Sequence, residues 1–109
     1  MESRSAVIAS ADIAGFEYYN GVKVFTLLKI GSPLRLVAEP DNRYDENAIR
    51  LYFQDEHIGY IPRRMNRKIA QIMFFGHGDI FEAEVTRVAP DLLPAHQVSF
   101  RVCVKDRRK

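Results

Sequence analysis

Apolar and polar residues alternate along most of this 109-residue chain, which is the pattern that half-buried β-strands produce. Clusters of glycine, proline and short polar residues interrupt the alternation and predict turns. The predicted strands are residues 7–14, 34–39, 48–53, 57–61, 80–89 and 97–104. Two of them flank a short turn at residues 54–56, so we expect these two strands to form a hairpin.

Two other segments space their apolar residues as helices do. The segment 63–75 carries apolar residues at i, i+4, i+7 and i+8, namely Met65, Ile69, Ile72 and Met73. This spacing predicts a helix with one apolar stripe packed against the sheet, ended by the glycine at position 76. The segment 22–30 shows weaker helical spacing, and its β-branched residues leave a strand as the alternative.

Short strands around one clear helix, with a second short helical segment, predict a mainly β fold with some α structure. We expect a small OB-like β-barrel of about six strands. A chain of this length forms one domain. Its expected bounds are residues 6–104, between an N-terminal tail at 1–5 and a basic C-terminal tail at 105–109 that is solvated.

Charge and hydropathy narrow the function only slightly. A net charge of +2 and a pI near 8.8 are weak evidence for nucleic-acid binding, although four basic residues cluster within 63–68. No apolar run approaches the roughly 20 residues of a membrane helix, and the N-terminus does not resemble a signal peptide. We therefore expect no membrane partner and a cytoplasmic location. Cys103, the single cysteine, is expected to be a small core residue.

Catalytic and metal-binding motifs do not emerge from the sequence. His57, His77 and His96 have no cysteine or carboxylate partners at metal-ligand spacings. The chain contains no nucleophile elbow, phosphate-cradling glycine loop or paired-acid motif, and Asp45 alone would not complete a mechanism. We therefore expect a binding module that needs no cofactor, and not an enzyme.

Two turns carry residues that turn formation does not require. Tyr44, Asp45 and Asn47 follow a turn-forming Pro-Asp-Asn cluster, and Tyr18 and Tyr19 lie in an earlier glycine-flanked turn. Aromatic rings on loops can stack on nucleic-acid bases. A structural role is the alternative in each case. One ring of the Tyr18–Tyr19 pair is expected to cap the core, and the two polar side chains can bond the turn backbone.

The chain resembles the HIRAN domain family along nearly its whole length. Three segments carry the resemblance: GFEYYNG at 15–21, EPDNRYDENAI at 39–49 and IGYIPR at 58–63. The resemblance implies a modified OB-type barrel that binds single-stranded DNA and, in eukaryotic fork remodellers, captures its 3′ end. The implied partners are single-stranded DNA or DNA 3′ ends, together with a helicase or other DNA-processing protein.

The resemblance also implies individual roles. Tyr18 and Tyr44 match rings that stack on terminal bases, and Asp45 matches the carboxylate that receives the terminal 3′-hydroxyl. Tyr60 and Arg63 match positions near the backbone phosphate. The candidate nucleic-acid-binding residues are Tyr18, Tyr19, Tyr44, Asp45, Asn47, Tyr60, Arg63 and Arg64. One departure from the family pattern stands out, because position 17 is a glutamate where DNA-binding members carry a basic residue.

Other function classes predict different behaviour. A protein-interaction domain would use the same groove for a peptide, and a phosphodiesterase or nuclease would need a ligand cluster that the sequence lacks. DNA binding should weaken steeply with salt because counterions are released, whereas peptide binding should respond much less.

Overall fold

The computed structural model describes residues 5–106 as one antiparallel sheet with two short α-helices. The strands lie in the order β1-β6-β5-β2-β3-β4. Their bounds are Ser5–Asp12 for β1, Pro33–Ala38 for β2, Ile49–Phe53 for β3, Glu56–Tyr60 for β4, Phe81–Val88 for β5 and Val98–Lys105 for β6. Every hydrogen-bonded pair is antiparallel. The predicted mainly β fold is therefore confirmed.

The predicted barrel is not closed by a strand ladder. Beyond the end of β1, Ala14 meets Tyr60 at the end of β4 in an isolated bridge, with two N–H···O bonds of 2.9 Å. Gly59 makes this approach possible, because its φ is +148° and a Cβ there would stand 2.4 Å from a side-chain carbon of Ile13. The outer strands thus meet at one point, and the six strands form an open, strongly bent sheet rather than a cylinder.

The core lies on one face of the sheet. Its fully buried large side chains include Phe16, Ile49, Leu51, Ile58 and Phe100. Alternate residues of β5 point inward, since Phe81, Ala83 and Val85 are all buried. Cys103 is buried as predicted, but it lies outside the main apolar cluster.

The predicted helix over 63–75 is divided into two parts. Arg63–Met65 form a 3₁₀ turn, and the α-helix proper, α2, spans Arg67–Phe74. At about 100° per residue, the buried side chains of Asn66, Ile69 and Ala70 define the inward stripe of α2, and Ile72 lies at the edge of that stripe. Ile69 is buried, but Ile72 is 36% exposed, so its predicted place against the sheet was wrong.

The remaining segments are short. Helix α1 spans Gly21–Val24 and continues as a 3₁₀ turn over Phe25–Leu27, so the predicted helical structure of 22–30 is confirmed for its first part. Strand β6 extends to Lys105, one residue into the predicted C-terminal tail. The rest of that tail beyond 106, and residues 1–4 of the N-terminal tail, lie outside the described residues. Within 5–106, no helix has the length and apolar character that crossing a membrane requires.

Candidate functional site

The loop between β2 and β3 is fixed by its own side chains. The Asn42 amide oxygen accepts hydrogen bonds from the backbone N–H groups of Tyr44 and Asp45, at 2.9 and 3.0 Å. At the neck of the loop, the Glu39 N–H donates to the Ala48 carbonyl at 2.8 Å. An asparagine that accepts from N–H groups two and three residues ahead imposes a turn on the chain. This turn sets the direction of the two residues that the sequence singled out.

Asp45 is held from three directions. Its Oδ1 accepts from the Asn47 backbone N–H at 2.9 Å, and its Oδ2 accepts from the Asn66 side-chain amide at 2.8 Å. The Arg63 Nε lies 4.0 Å from Oδ2. An ionised carboxylate offers about four acceptor positions, so Asp45 can accept a further hydrogen bond from a ligand. The structural alternative for Asp45, bonding within the turn, is thus observed and leaves room for a ligand contact.

Asn66 was missed by the sequence reasoning, although it is the one buried polar side chain among the described residues, with 2% exposure. It stands at the N-cap of α2, and its backbone carbonyl accepts from Ala70 N–H at 2.8 Å. The sequence pattern indicates its burial, because Asn66 lies on an i, i+3, i+4, i+7 stripe with Ile69, Ala70 and Met73. A polar residue on an apolar stripe needs a partner, and here the partner is Asp45.

A second carboxylate anchors the other side of the loop. Glu39 accepts from the Tyr60 hydroxyl at 2.6 Å and from the Asn42 amide at 3.3 Å, and it pairs with Arg50. Burial acts to raise the pKa of Glu39, but the hydrogen bonds from Arg50, Tyr60 and Asn42 together hold it below its ordinary value. Burial, and then the Glu39 carboxylate, raise the pKa of Tyr60 to about 12. The Tyr60 hydroxyl therefore stays protonated and donates its hydrogen bond to Glu39. The predicted contact of the Tyr60 side chain with a backbone phosphate stays a prediction.

Aromatic rings form a shelf beside this loop. Tyr19 lies on the His57 ring with 4.3 Å between centroids, and Tyr60 meets Tyr19 edge-on at 5.5 Å. Burial lowers the pKa of His57, so the ring is neutral near pH 7, and its Nε2–H donates to the Gly59 carbonyl at 2.9 Å. Tyr19 is therefore the member of the tyrosine pair that packs, at 41% exposure, whereas Tyr18 is 80% exposed.

Five of the eight predicted residues line one open groove, which we call the end groove: Tyr19, Tyr44, Asp45, Tyr60 and Arg63. Tyr44 rises at its rim with 85% of its surface exposed. Asn66 and Asn42 complete the polar side of the same groove. A ring available for stacking thus stands next to a fixed carboxylate and a guanidinium. This arrangement suits a ligand with a flat apolar part, a hydroxyl group and a negative charge.

Three predicted residues lie outside the end groove. Tyr18 projects from the turn beside it, and Asn47 lines an adjoining groove on the far side of the loop. Arg64 is exposed and follows Arg63 in the 3₁₀ turn. Since α2 begins only at Arg67, the two arginines do not occupy the first turn of an α-helix, as the predicted helix over 63–75 would have placed them.

The fold and the groove define a small mainly β domain with a binding surface built on loops. The HIRAN domain model matches residues 8–105, and the chain therefore belongs to the HIRAN domain family. HIRAN domains are a family of nucleic-acid-binding modules.

Two solved structures share the fold. A protein from Lactobacillus plantarum is 24% identical, with a TM-score of 0.75 over 97% of this chain and 100% of that one. The HIRAN domain of human HLTF is 20% identical, with a TM-score of 0.60 over 93% of this chain and 77% of that one. No curated protein matches the chain.

Proposed function

We propose that this domain binds the 3′ end of single-stranded DNA without catalysis. The observation that carries the proposal is the Asp45 carboxylate, fixed by Asn47 and Asn66 at the wall of a groove whose rim is the exposed Tyr44 ring. A terminal 3′-hydroxyl can donate to this carboxylate while the last base stacks on the ring. A 3′-phosphate at the same place would be repelled by the like charge.

The neighbouring positive charge fits a phosphate of the same strand. Arg63 is 78% exposed at its side chain and lies within 4.0 Å of Asp45, close enough to neutralise a phosphate one step from the terminal hydroxyl. In this proposal, a separate helicase or other DNA-processing protein acts on the end that the domain holds.

The decisive measurement compares binding of strands that end in a hydroxyl or a phosphate. Fluorescence anisotropy with 5′-labelled strands should show tighter binding of the 3′-hydroxyl form by the unaltered protein. Asp45→Ala should remove that preference, because the hydrogen bond to a charged acceptor contributes about 1.5–3 kcal/mol. Asp45→Asn should be intermediate, since it keeps an acceptor oxygen and loses the charge. Asp55→Ala is the matched control, because Asp55 is exposed in the β3–β4 turn.

Two results would contradict the proposal. Equal affinity of the unaltered protein for both ends would exclude recognition of the hydroxyl. Binding that barely changes between low and moderate salt would favour the peptide groove instead, because DNA binding releases counterions. Arg63→Ala gives a further check, since it should weaken binding of all sequences equally and lower the salt slope by about one phosphate contact.

A further inference from the structure

A second groove runs along the other side of the β2–β3 loop, towards the end of α2. Asn47 and Pro40 form one wall, and Met73, Phe74 and Phe75 form the other. The two phenylalanines are 70% and 73% exposed, and their rings meet edge-on with 5.3 Å between centroids. We call this the phenylalanine groove. Large exposed rings side by side require an explanation beyond the folding of the chain.

A basic groove connects the phenylalanine groove with the end groove. Three arginines line it: Arg43, Arg63 and Arg67. It shares Arg63, Tyr44 and Asp45 with the end groove, and it shares Asn47 with the phenylalanine groove. Within 5–106, neither Arg43 nor Arg67 takes part in an ion pair. The surface between the two grooves is therefore continuous and has positive charge available to a ligand.

We propose that a single strand whose 3′ end occupies the end groove continues along the basic groove, and that the perpendicular rings of Phe74 and Phe75 hold one of its bases, one ring face-on and the other edge-on. This inference rests on the proposed function and extends it from one terminal nucleotide to a track. Arginines at intervals followed by exposed rings are the combination with which single-strand binders follow a backbone and hold its bases.

The charges favour a nucleic acid over an apolar protein segment. A partner helix or strand would bury the phenylalanines, but it would leave Arg43 and Arg67 without a function next to it. A nucleic acid would use both the arginines and the rings, because its phosphates pair with positive charge and its bases stack on aromatic side chains. Glu46, which lies in both the basic groove and the phenylalanine groove, opposes a phosphate directly beside it. The bases rather than the backbone should therefore face the loop at that point.

The length of the helix sets the length of the strand. From Arg67 to Phe74 the helix rises by about 10 Å at 1.5 Å per residue, which corresponds to about three nucleotides at the roughly 3.4 Å rise of a strand with helically stacked bases. With the terminal nucleotide in the end groove, a strand of about four nucleotides should be the shortest to reach the rings. Such a length lies at the lower end of the sites that OB-type domains occupy.

The test measures how affinity depends on strand length, in a competition assay. Unlabelled oligothymidines of increasing length, from two to ten nucleotides with free 3′-hydroxyls, displace a labelled ten-nucleotide strand, so that no dye can stack on the rings. The variants are Phe74→Ala and Phe75→Ala, together with Phe75→Leu, which keeps the apolar bulk and removes the flat ring. Ile30→Ala is the matched control, because Ile30 is 75% exposed and lines none of the three grooves.

The expected result is a length-dependent loss. The alanine variants, and Phe75→Leu, should bind the longer strands more weakly, about 5-fold or more for the ring that stacks face-on, and should bind the dinucleotide as the unaltered protein does. If the phenylalanine variants bind long strands as the unaltered protein does, the proposed path to Phe74 and Phe75 is contradicted, and binding of the 3′ end in the end groove is not. A loss that is equal for two and ten nucleotides would contradict that path as well. Failure of the unaltered protein to bind any length would instead overturn the proposed function on which the track rests.

Discussion

The two loops that carry the tyrosines are built in different ways. The β2–β3 loop is organised by side chains that accept from backbone N–H groups, chiefly Asn42 and Asp45. The turn that precedes α1 uses a left-handed glycine, Gly15 with φ +72°, and the packing of Tyr19 on His57. The first loop fixes the direction of a charged group, whereas the second fixes only the position of a ring.

This difference sets what each loop can recognise. A carboxylate with a defined direction can distinguish a hydroxyl from a phosphate, because the two differ in charge and in donor capacity. A ring fixed in position stacks on any base and distinguishes little. Chemical discrimination should therefore reside in the Asp45 loop, and the tyrosine turn should contribute affinity that is independent of sequence.

The largest effect should follow from separating the two loops. Tyr60 links them, because its hydroxyl donates to Glu39 at the neck of the β2–β3 loop and its backbone pairs with Ala14 before the tyrosine turn, in a bridge that depends on Gly59. In Gly59→Ala the new Cβ would stand 2.6 Å from the Ala14 carbonyl oxygen at a φ of +148°. Strain and overpacking together should lower the free energy of unfolding by about 3 kcal/mol or more. Urea denaturation measures the change.

Gly31→Ala is the control for the glycine substitution. Gly31 also has a positive φ of +90°, but a Cβ there has no neighbour within 4 Å. Gly31→Ala should therefore lower the free energy of unfolding only by the backbone strain, about 1 kcal/mol. Similar losses for the two variants would show that backbone conformation, and not the contact between the loops, accounts for the effect.

Stacking should distinguish the two loops next. Tyr44→Ala should weaken binding of single strands by about 1–3 kcal/mol, the range for one stacked base. Tyr18→Ala should have a similar effect on affinity but should leave the preference for a 3′-hydroxyl unchanged, because Tyr18 lies outside the end groove. Anisotropy titrations with both strand ends give the two quantities. A Tyr18 variant that loses end preference would contradict the separation of roles.

The anchoring side chains provide a third comparison. Asn42→Ala removes the acceptor for two backbone N–H groups and should cost about 1 kcal/mol of stability. In the other loop, Asn20 donates to Glu56 at 2.9 Å on an exposed surface, and Asn20→Ala should change stability by less than about 0.5 kcal/mol. Thermal unfolding of both variants checks the order. Equal losses would mean that the two loops are anchored alike.

The strands were predictable from sequence because alternation depends only on which face is buried. Asp45 and Tyr44 stood out because no turn type requires them. The single bridge at which the outer strands meet was not predictable, since the approach of Ala14 to Tyr60 rests on the backbone angle of Gly59. The role of Asn66 was hidden because its partner is 21 residues away in sequence. The exposure of Ile72 was not predictable because the buried stripe of α2 includes the polar Asn66 and the small Ala70, which places Ile72 at the edge of the stripe.

A charge in the tyrosine turn should have a smaller effect. Glu17 lies beside Tyr18 in the 3₁₀ turn Phe16–Tyr18, where its carboxylate would repel a nearby phosphate. Glu17→Arg should strengthen binding and steepen the salt slope by up to about one phosphate contact. The preference for a hydroxyl end should remain, because the Asp45 loop is unaltered. A salt titration of both proteins measures the slope, and an unchanged slope would show that the strand does not pass this turn.

The smallest effect concerns pH and again involves one loop only. Burial lowers the pKa of His57 from 6.5, with the Arg50 charge adding to burial and the Gly59 hydrogen bond and Glu39 opposing it. As pH falls below about 6.5, His57 therefore takes up a proton more readily in the unfolded chain than in the folded one. The folded state accordingly loses part of its free energy of unfolding between about pH 6.5 and the lower pKa of His57 in the folded protein. His57→Phe keeps a ring under Tyr19 and should reduce this loss, whereas His77→Gln, at an exposed position, should retain the full loss. Melting temperatures between pH 7.5 and 5.5 measure the difference. If His57→Phe and the unaltered protein lose stability in parallel, the ring beneath Tyr19 does not titrate with folding.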